Sequence, residues 1–473
     1  MSSTSNKTTG NKPEAESTGS DSLYEKHKKV YPRQVQGLFA RLRTTGVLAL
    51  LAIYYGTPWL RWGERQAVLL DLPNRQFHVF GLTFWPQDFF YFAVLLILAG
   101  ISLFFFTALA GRLWCGYSCP QTVWTEAFLW IERKVEGTRS QQMKLDKAPM
   151  TKGKFNKKFI KHLLWLSLSA FTGFTFVGYF TAVDVLWSNI INFDMGPWES
   201  FWIIFYSLAT YGNAGWLREQ VCIYMCPYAR FQSAMFDKDT LVISYDNTRG
   251  EPRGSRKKSA DPKQLGLGDC VNCTLCVQVC PTGIDIRDGL QYQCIGCAAC
   301  IDVCNEVMDK VGYDKGLVRY TTENEIEGKT TRLFRPRIIL YASILAGVAV
   351  ALIIAIANRI PLELDIIRDR NTLYREVSGG LIENIYNLRI INMSTSKQRY
   401  HLSVGGIEGL TLINSTKNID VNSGEVYHLN VQVRLDPVAL KRPSNEIIFR
   451  LESPGQEHLK IEETARFIGP VIR

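Results

Sequence analysis

The sequence predicts a multidomain membrane protein, with an α-helical transmembrane bundle of about five spans, a cysteine-rich module and a C-terminal β-sandwich. Three observations predict this fold class. The apolar residues, 47% of the 473-residue chain, are concentrated in stretches long enough to cross a bilayer. Eight of the 12 cysteines lie in two short runs. Beyond residue 359, apolar and polar side chains alternate in short segments.

The helical bundle is predicted from five apolar stretches that end at charged or aromatic residues. Arg43 and Arg61 bound the first, Asp88 precedes the second, and Arg337 and Arg359 bound the last. Such residues are typical of the membrane–water interface. The shorter first and fourth stretches leave open a buried core helix in place of a span, and a total of about four or six spans is the alternative. The five stretches are Thr45–Leu60, Phe89–Ala110, Leu163–Val183, Phe201–Leu217 and Ile338–Ala357.

The orientation of the bundle is predicted from lysine and arginine, which favour the cytoplasmic side of a membrane when they lie in short loops. The chain before the first stretch and the loop after the second are strongly basic, whereas residues 184–199 contain neither lysine nor arginine. The N-terminus and the cysteine-rich module are therefore expected in the cytoplasm, and the C-terminal domain outside it. The net charge of +10 then reflects topology and contact with anionic lipid. No motif of nucleic-acid binding accompanies that charge, so no nucleic-acid partner is expected.

Eight cysteines form two runs with the same spacing, GDCVNCTLCVQVCPTG and YQCIGCAACIDVCNEV. This spacing is typical of bacterial-type ferredoxins, in which the fourth cysteine of each run ligates the other cluster. The pattern predicts a ferredoxin module with two [4Fe-4S] clusters; zinc is the weaker alternative. Asn305 departs from the pattern, because it stands where the first run has Pro281. The predicted ligands are Cys270, Cys273, Cys276 and Cys304 for cluster 1, and Cys280, Cys294, Cys297 and Cys300 for cluster 2.

Two further motifs, both C-x-x-x-C-P, each follow an apolar stretch and should reach the same membrane face. Positions i and i+4 of a helix lie one above the other, and proline biases the preceding residue away from helix. Each motif is therefore predicted at a helix end, with its two sulfurs aimed the same way. Soft thiolates favour Cu(I), so the four cysteines form a candidate copper and redox site, with Met225 as a weak further ligand. Buried inert cysteines and a third iron–sulfur cluster are the alternatives. The four are Cys115, Cys119, Cys222 and Cys226.

The chain beyond residue 359 consists of short alternating runs separated by Gly, Pro, Ser and Asn. These runs predict an antiparallel sandwich of about seven strands, similar to an immunoglobulin-like domain without its cysteine pair. Its expected role is to dock a partner outside the membrane. His401 and His428 are more typical of surface residues than of metal ligands. Haem b is not expected, because only His162 lies near a span.

These features divide the chain into five segments. A disordered basic cytoplasmic N-terminus is expected at 1–40, its first 22 residues being polar without an apolar run. The other four are a four-span membrane domain at 41–240, a cytoplasmic ferredoxin domain at 241–336, a fifth transmembrane helix at 337–358 and a periplasmic immunoglobulin-like domain at 359–473.

The order of these motifs resembles that of a known family. The chain contains R-L-W-C-G-Y-S-C-P-Q-T-V-W, then C-I-Y-M-C-P-Y-A-R-F-Q, then the double ferredoxin run, a last span and a β-rich tail. Over nearly its whole length it is similar to the FixG, CcoG or RdxA family, accessory proteins for assembly of the cbb-type cytochrome c oxidase. The resemblance implies a multi-pass protein of the bacterial cytoplasmic (inner) membrane that reduces Cu(II) to Cu(I) during copper delivery. Its implied partners are the oxidase or its copper-delivery factors.

Two other functions stay open at this point. A generic membrane electron-transfer subunit, linking quinol or a cytoplasmic donor to a partner reductase, would need the same clusters. A non-enzymatic copper chaperone or assembly scaffold is the third class. The sequence leaves open the identity of the electron donor, the side from which copper arrives and the oligomeric state, with a homodimer as one option.

Overall fold

The computed structural model describes residues 29–257, 264–369, 372–394, 396–413, 418–440 and 442–470, apart from the side chains at 233, 457 and 458. Of the disordered N-terminus expected at residues 1–40, residues 1–28 lie outside the described residues. Lys29 and Tyr31 both bind Asp146, and the first helix begins at Leu38. Helices α1 to α14 are Leu38–Gly56, Phe89–Ala110, Leu113–Tyr117, Pro120–Glu136, Arg139–Lys147, Lys152–Val177, Val183–Ile191, Pro197–Thr210, Pro227–Met235, Asn247–Gly250, Leu275–Val279, Ala299–Val311, Glu323–Ile326 and Pro336–Ala357. Two π-helical turns, Tyr211–Leu217 and Val221–Met225, follow α8.

Strands β1 to β16 form five small sheets in the described part of the chain. Their bounds are Arg61–Trp62, Arg65–Gln66, Val68–Asp71, Gln76–Val79, Leu82–Phe84, Val242–Tyr245, Val318–Thr321, Leu362–Arg368, Arg375–Val377, Leu381–Asn392, Gln398–Gly405, Thr411–Ile413, Ile419–Val421, Val426–Leu435, Ser444–Ser453 and Gln456–Ile468.

Four helices of the described chain are long and apolar enough to cross a membrane: Leu38–Trp59, Pro86–Ala110, Lys152–Val177 and Pro336–Ala357. They contain 22 to 26 residues, and at 1.5 Å per residue each exceeds the roughly 30 Å hydrocarbon core of a bilayer. The chain is therefore a membrane protein.

The third of these helices begins earlier than the predicted span, which started at Leu163. Thr151 caps its first turn, accepting a hydrogen bond from the Lys154 backbone N–H at 3.2 Å. Lys158 and Lys161 then pair with Glu136 of α4 at 2.9 and 2.8 Å. These contacts extend the helix beyond its apolar stretch.

The fourth predicted span, Phe201–Leu217, is not among the four long apolar helices. Its α-helical part, α8, has 14 residues and is about 21 Å long, too short to span alone. The helix continues as the π-helical turn Tyr211–Leu217, whose glycines and Asn213 lower its hydropathy. This segment packs along α6. Four of the five predicted spans are therefore long apolar helices in the structure, and the fifth stays a prediction.

The ferredoxin module is built from the antiparallel pair β6 and β7 and from helices α11 and α12. The two cysteine runs have the same backbone. Asn272 and Gly296, at equivalent positions, both have φ above +50°, and so do Thr274 and Ala298. Each run therefore passes through the same two left-handed residues before its helix, as expected of a duplicated ligand loop.

The C-terminal domain is a sandwich of two antiparallel sheets. One has the order β12-β14-β10-β8, with β9 paired to β10, and the other β13-β11-β15-β16. Tyr386 and Phe449 meet edge to face across its core at 5.2 Å. The described part has nine strands, against about seven predicted; β9 and β13 have three residues each and show no alternating pattern.

The loop between α1 and α2 carries a three-stranded sheet, β3 to β5, and packs against this sandwich. Trp85 lies in a buried cluster with Ile391 and Met393, and Arg359 forms a partly buried ion pair with Asp88. The sandwich therefore lies at the loop end of α1 and α2, and the ferredoxin module lies at the other end.

Candidate functional site

The cysteines of the first predicted cluster line one small cavity of the ferredoxin module. Cys270, Cys273, Cys276 and Cys304 surround it, together with Tyr245, Arg287 and apolar side chains. Burial raises the pKa of Cys276 to about 11 and that of Cys304 to about 12. These thiols would lose their protons on binding metal.

The cysteines of the second predicted cluster line a neighbouring cavity. Cys280, Cys294, Cys297 and Cys300 surround it, and Cys276 contributes to both cavities. Ile243, Ile284, Ile286 and Ile295 complete a largely apolar wall. The structure thus brings together each predicted set of four, with Cys280 and Cys304 crossing over, so that the donor sets fit two iron–sulfur clusters. The assignment of each ligand stays a prediction.

The departure at Asn305 has a structural reason. Cys304 and Asn305 lie in the middle of the 13-residue helix α12, whereas α11 ends at Val279 and the chain turns away at Pro281. Proline is tolerated after a helix but breaks one in its interior. Asn305 Oδ1 also accepts a hydrogen bond from the Gly316 backbone N–H at 3.0 Å, an interaction that proline could not make.

The two membrane motifs lie at helix ends, as predicted, but their cysteines do not share one helical turn. Cys115 is in α3 and Cys222 in the second π-helical turn. Cys119 and Cys226 have extended backbones and precede Pro120 and Pro227, the first residues of α4 and α9. The two cysteines of each motif therefore do not lie at i and i+4 of one continuous helix, because proline forces the residue before it out of the helix.

The four membrane-motif cysteines are nevertheless neighbours. Burial, together with repulsion from neighbouring motif cysteines, raises the pKa of Cys115 to about 11 and that of Cys222 to about 12. The sulfur of Cys115 donates a hydrogen bond to Gln232 Oε1 at 3.3 Å. Met225, between the second pair, is 60% exposed. Among the described residues, no three His, Cys, Asp or Glu side chains lie close enough to hold a single metal ion.

The first membrane motif touches the loop of the second cysteine run through its backbone. A Cβ atom at Gly116 would lie 2.7 Å from the carbonyl oxygen of Gly296, which itself has φ of +67°. Tyr320 Oη donates a hydrogen bond to the same oxygen at 2.7 Å. Glycine at both positions therefore permits direct contact between the membrane motif and the module.

Arg112 links the two regions electrostatically. Its guanidinium donates to the carbonyl oxygens of Cys294 at 2.8 Å and Ala229 at 2.7 Å, and also to that of Tyr292. Its charge opposes the burial that raises the pKa of Cys115 and Cys294. One buried cation therefore lies between the membrane-motif thiols and the second cysteine cavity.

Sequence reasoning missed Arg112, Gln232 and the Gly116–Gly296 contact. Arg112 stands three residues before Cys115, and Gly116 directly after it, but neither residue type has a ligand's chemistry. The three histidines considered from the sequence are apart from the cysteines: His401 and His428 lie on β11 and β14, and His162 Nδ1 is 2.9 Å from Tyr211 Oη.

Three family models match the chain. Residues 217–323 match a 4Fe-4S dicluster domain, residues 91–137 a 4Fe-4S binding domain, and residues 352–470 the IG-like fold at the C-terminal of FixG. The iron–sulfur matches contain both membrane motifs and both ferredoxin runs. The chain is therefore an iron–sulfur redox protein.

Several curated proteins are similar along most of their length. The nitrogen fixation protein FixG of Rhizobium meliloti is 38% identical over 82% of this chain and 82% of its own. Protein RdxA of Cereibacter sphaeroides is 41% identical over 83% and 85%, and protein RdxB of the same organism 42% over 84% and 86%. A crystal structure of a FixG-related protein from Vibrio parahaemolyticus is 33% identical over 23% of this chain and 95% of its own, with a TM-score of 0.21. The chain belongs to the FixG/RdxA family.

Proposed function

We propose that this protein is a membrane-bound electron-transfer protein that reduces Cu(II) to Cu(I) for copper delivery during assembly of a cbb-type cytochrome c oxidase. The observation that carries the proposal is the direct contact between the membrane motif and the second cysteine run at Gly116 and Gly296. A path for electrons from the module to the thiols follows from that contact. Soft thiols beside an electron carrier suit Cu(I), the product of the reaction.

The ferredoxin module is proposed to hold two [4Fe-4S] clusters, which supply one-electron storage at the end of that path when bound. The proposed ligands are the two sets of four that line the cavities. Tyr245 and Arg287 border the first set, and the isoleucine wall keeps water from the second. Arg112 holds the Cys294 carbonyl and so fixes the second loop against the motif.

The four membrane-motif cysteines are proposed as the site where copper is reduced. Burial keeps Cys115 and Cys222 protonated at neutral pH, because it raises the pKa of both. Binding of copper would therefore release protons, and Gln232 would accept a hydrogen bond only from the protonated Cys115. The substrate Cu(II) gains one electron and stays with the thiolates as Cu(I).

The orientation proposed from the sequence fits this scheme. The helix ends near the ferredoxin module carry the basic residues Lys158 and Lys161, whereas the sandwich end carries Arg359 paired with Asp88. The module is thus proposed to face the cytoplasm and the sandwich the periplasm, where it would dock the oxidase or its copper-delivery factors.

The test uses the purified full-length protein with its clusters reduced by dithionite, freed of reductant and mixed with Cu(II) and a Cu(I) chelator. We expect one Cu(I) for each cluster oxidised. Serine at any one of the four membrane-motif cysteines should slow this reaction and leave the iron content intact. Clusters that stay reduced in excess Cu(II) would contradict the proposal and favour a relay to a partner reductase.

A second candidate concerns the same four thiols. The matched 4Fe-4S binding domain at residues 91–137 has only Cys115 and Cys119 as cysteines, which favours a third cluster completed by Cys222 and Cys226. Such a cluster would raise the iron content from about eight to about twelve per chain. Iron analysis of the native protein and of Cys115→Ser decides between the two: a fall of about four irons in the variant supports the third cluster.

A further inference from the structure

A large amphipathic cavity lies where α1, α4 and α6 meet the ferredoxin module. Its volume is about 880 Å³, within the range of roughly 300–1,000 Å³ that is common for small-molecule sites. Leu48 and Leu51 of α1 and Leu164 and Leu168 of α6 form its apolar wall. Both helices belong to candidate membrane spans, so an apolar ligand could reach the cavity from the bilayer.

The other end of the cavity is polar. Arg43, Glu126 and Arg133 line it, and Arg133 Nη2 lies 2.8 Å from Glu126 Oε1, with both side chains about one-fifth exposed, at 20% and 24%. Burial raises the pKa of Glu126, but the charges of Arg43 and Arg133 outweigh it and lower that pKa overall. Glu126 is therefore an ionised carboxylate, able to accept a proton or a hydrogen bond from a ligand hydroxyl.

The polar end of the cavity adjoins Cys280, a proposed ligand of the second cluster. Val279 and Pro281, the two neighbours of Cys280, line the same cavity. A smaller adjoining cavity shares Arg43, Glu126 and Pro281 and reaches Cys222 and Cys297. A ligand at the polar end would therefore contact the chain on both sides of a proposed cluster ligand.

We propose that this cavity binds a lipid-soluble quinol, which is the electron donor of the protein. The inference rests on the proposed function and adds the donor to it. The isoprenoid-like tail lies along α1 and α6, and the ring lies between Arg43 and Glu126. The quinol loses two electrons, one to each cluster, and two protons, the first to Glu126 and the second to solvent at the exposed Arg33 and Gln34, and leaves as the quinone.

Two features favour a quinol over a phospholipid as the occupant. The guanidinium of Arg133 is already paired with a carboxylate, so the polar end is not a purely cationic site for a phosphate. A phospholipid would also gain nothing from the position of Val279 and Pro281 on either side of Cys280. A second cavity, of about 1,130 Å³ and lined by Glu64, Phe174 and Val185, lies at the sandwich end of the helices without cysteines, and it serves as the internal control.

The first experiment measures binding and electron transfer in the full-length protein with its clusters oxidised. A short-chain benzoquinol is added without oxygen, and the loss of the cluster absorbance is followed. Ser167→Trp and Leu51→Trp fill the cavity from α6 and from α1, and each should slow this reduction about tenfold or more, since overfilling costs more than 1.4 kcal/mol. Val185→Trp, in the control cavity, should leave the rate unchanged.

Binding is measured separately from electron transfer. Trp130 lines the cavity, so the oxidised quinone should quench part of the tryptophan fluorescence of the wild-type protein and less of that of Trp130→Phe. Added phospholipid should not reverse the quenching. Reversal by phospholipid, or equal quenching in both proteins, would overturn the proposal in favour of a lipid-filled cavity.

The third experiment tests whether Glu126 accepts a proton from the quinol. Glu126→Gln should slow quinol oxidation by about a hundredfold, the usual effect of removing a general base. Glu64→Gln in the control cavity should have no effect. A full rate in Glu126→Gln would overturn the proton-accepting role.

The proposed function and the donor are separable in these data. If dithionite-reduced protein fails to reduce Cu(II), the proposed function fails whatever quinol does. If it succeeds but quinol never reduces the clusters, only the quinol site fails. Ser167→Trp reduced by dithionite should form Cu(I) at the wild-type rate, since Ser167 does not line the adjoining cavity that reaches Cys222.

Discussion

The two cysteine cavities of the ferredoxin module have similar ligand loops and different surroundings. The first includes Cys273, which is exposed, and is bordered by Tyr245 and Arg287. The second includes Cys297, which is buried, and is bordered by isoleucines. The second run contacts the first membrane motif directly, at Gly296. A duplicated sequence therefore supplies two equivalent donor sets, and the packing around them makes their surroundings different.

The largest expected effect comes from removing one cysteine of each cavity. Cys297→Ala and Cys273→Ala should each lower the iron content from about eight to about four per chain. Copper reduction by dithionite-treated protein should be abolished in Cys297→Ala and retained in Cys273→Ala, because Cys297 belongs to the run whose Gly296 contacts the membrane motif. Equal losses in the two variants, measured with a Cu(I) chelator, would remove the functional distinction between the cavities.

The next prediction concerns the contact between Gly116 of the membrane motif and Gly296 of the second run. In Gly116→Val the new side chain would meet the Gly296 carbonyl oxygen, a backbone atom that cannot move alone. A displacement of about 1 Å is expected to slow copper reduction about a hundredfold. Gly100→Val is the matched control, since a Cβ at Gly100 meets nothing within 4 Å. Iron content should be normal in both, and a normal rate in Gly116→Val would show that electrons take another route.

Substitution of Asn305 and of Pro281, which follow the fourth cysteine of each run, should change the stability of the module by very different amounts. Asn305→Pro places proline inside α12 and removes the acceptor for Gly316 N–H, which should destabilise the module by about 3 kcal/mol or more. Pro281→Ala, beyond the end of α11, should change stability by less than about 1 kcal/mol. Denaturation followed by the loss of cluster absorbance measures both. Similar midpoints for the two variants would contradict the helical explanation of Asn305.

Much of this architecture follows from local pattern. The long apolar runs predicted four of the observed helices, and the cysteine spacing predicted which thiols share a cavity, because both signals lie in nearby residues. The broken helix after Thr210 was not predicted, since a π-helical turn leaves no periodic signature in Tyr211–Leu217. The three-stranded sheet β3 to β5 was missed because its strands have only three or four residues.

The candidate site was predictable only in part for a different reason. A cysteine can be recognised in the sequence as a possible metal ligand. The contact that joins the membrane motif to the module is instead made by two glycines 180 residues apart, and glycine has no such side chain. Arg112 likewise acts through the carbonyl oxygens of residues distant in sequence. Such roles depend on tertiary packing, which one sequence does not contain as a motif.

The smallest effect concerns the two arginines, one beside each cavity. A nearby cation stabilises the more negative, reduced state of a cluster, so Arg112→Gln should lower the potential of the second cluster by the equivalent of about 1–4 kcal/mol. Arg287→Gln should lower the potential of the first cluster by less. Arg287 Nε donates to both carboxylate oxygens of Asp285, at 2.8 and 3.1 Å, so the charge of this guanidinium is already neutralised. Redox titration followed by electron paramagnetic resonance resolves the two clusters. Arg112→Lys, which keeps the charge, should restore most of the shift, whereas a shift of the first cluster in Arg112→Gln would mean that the two cavities are not electrostatically separate.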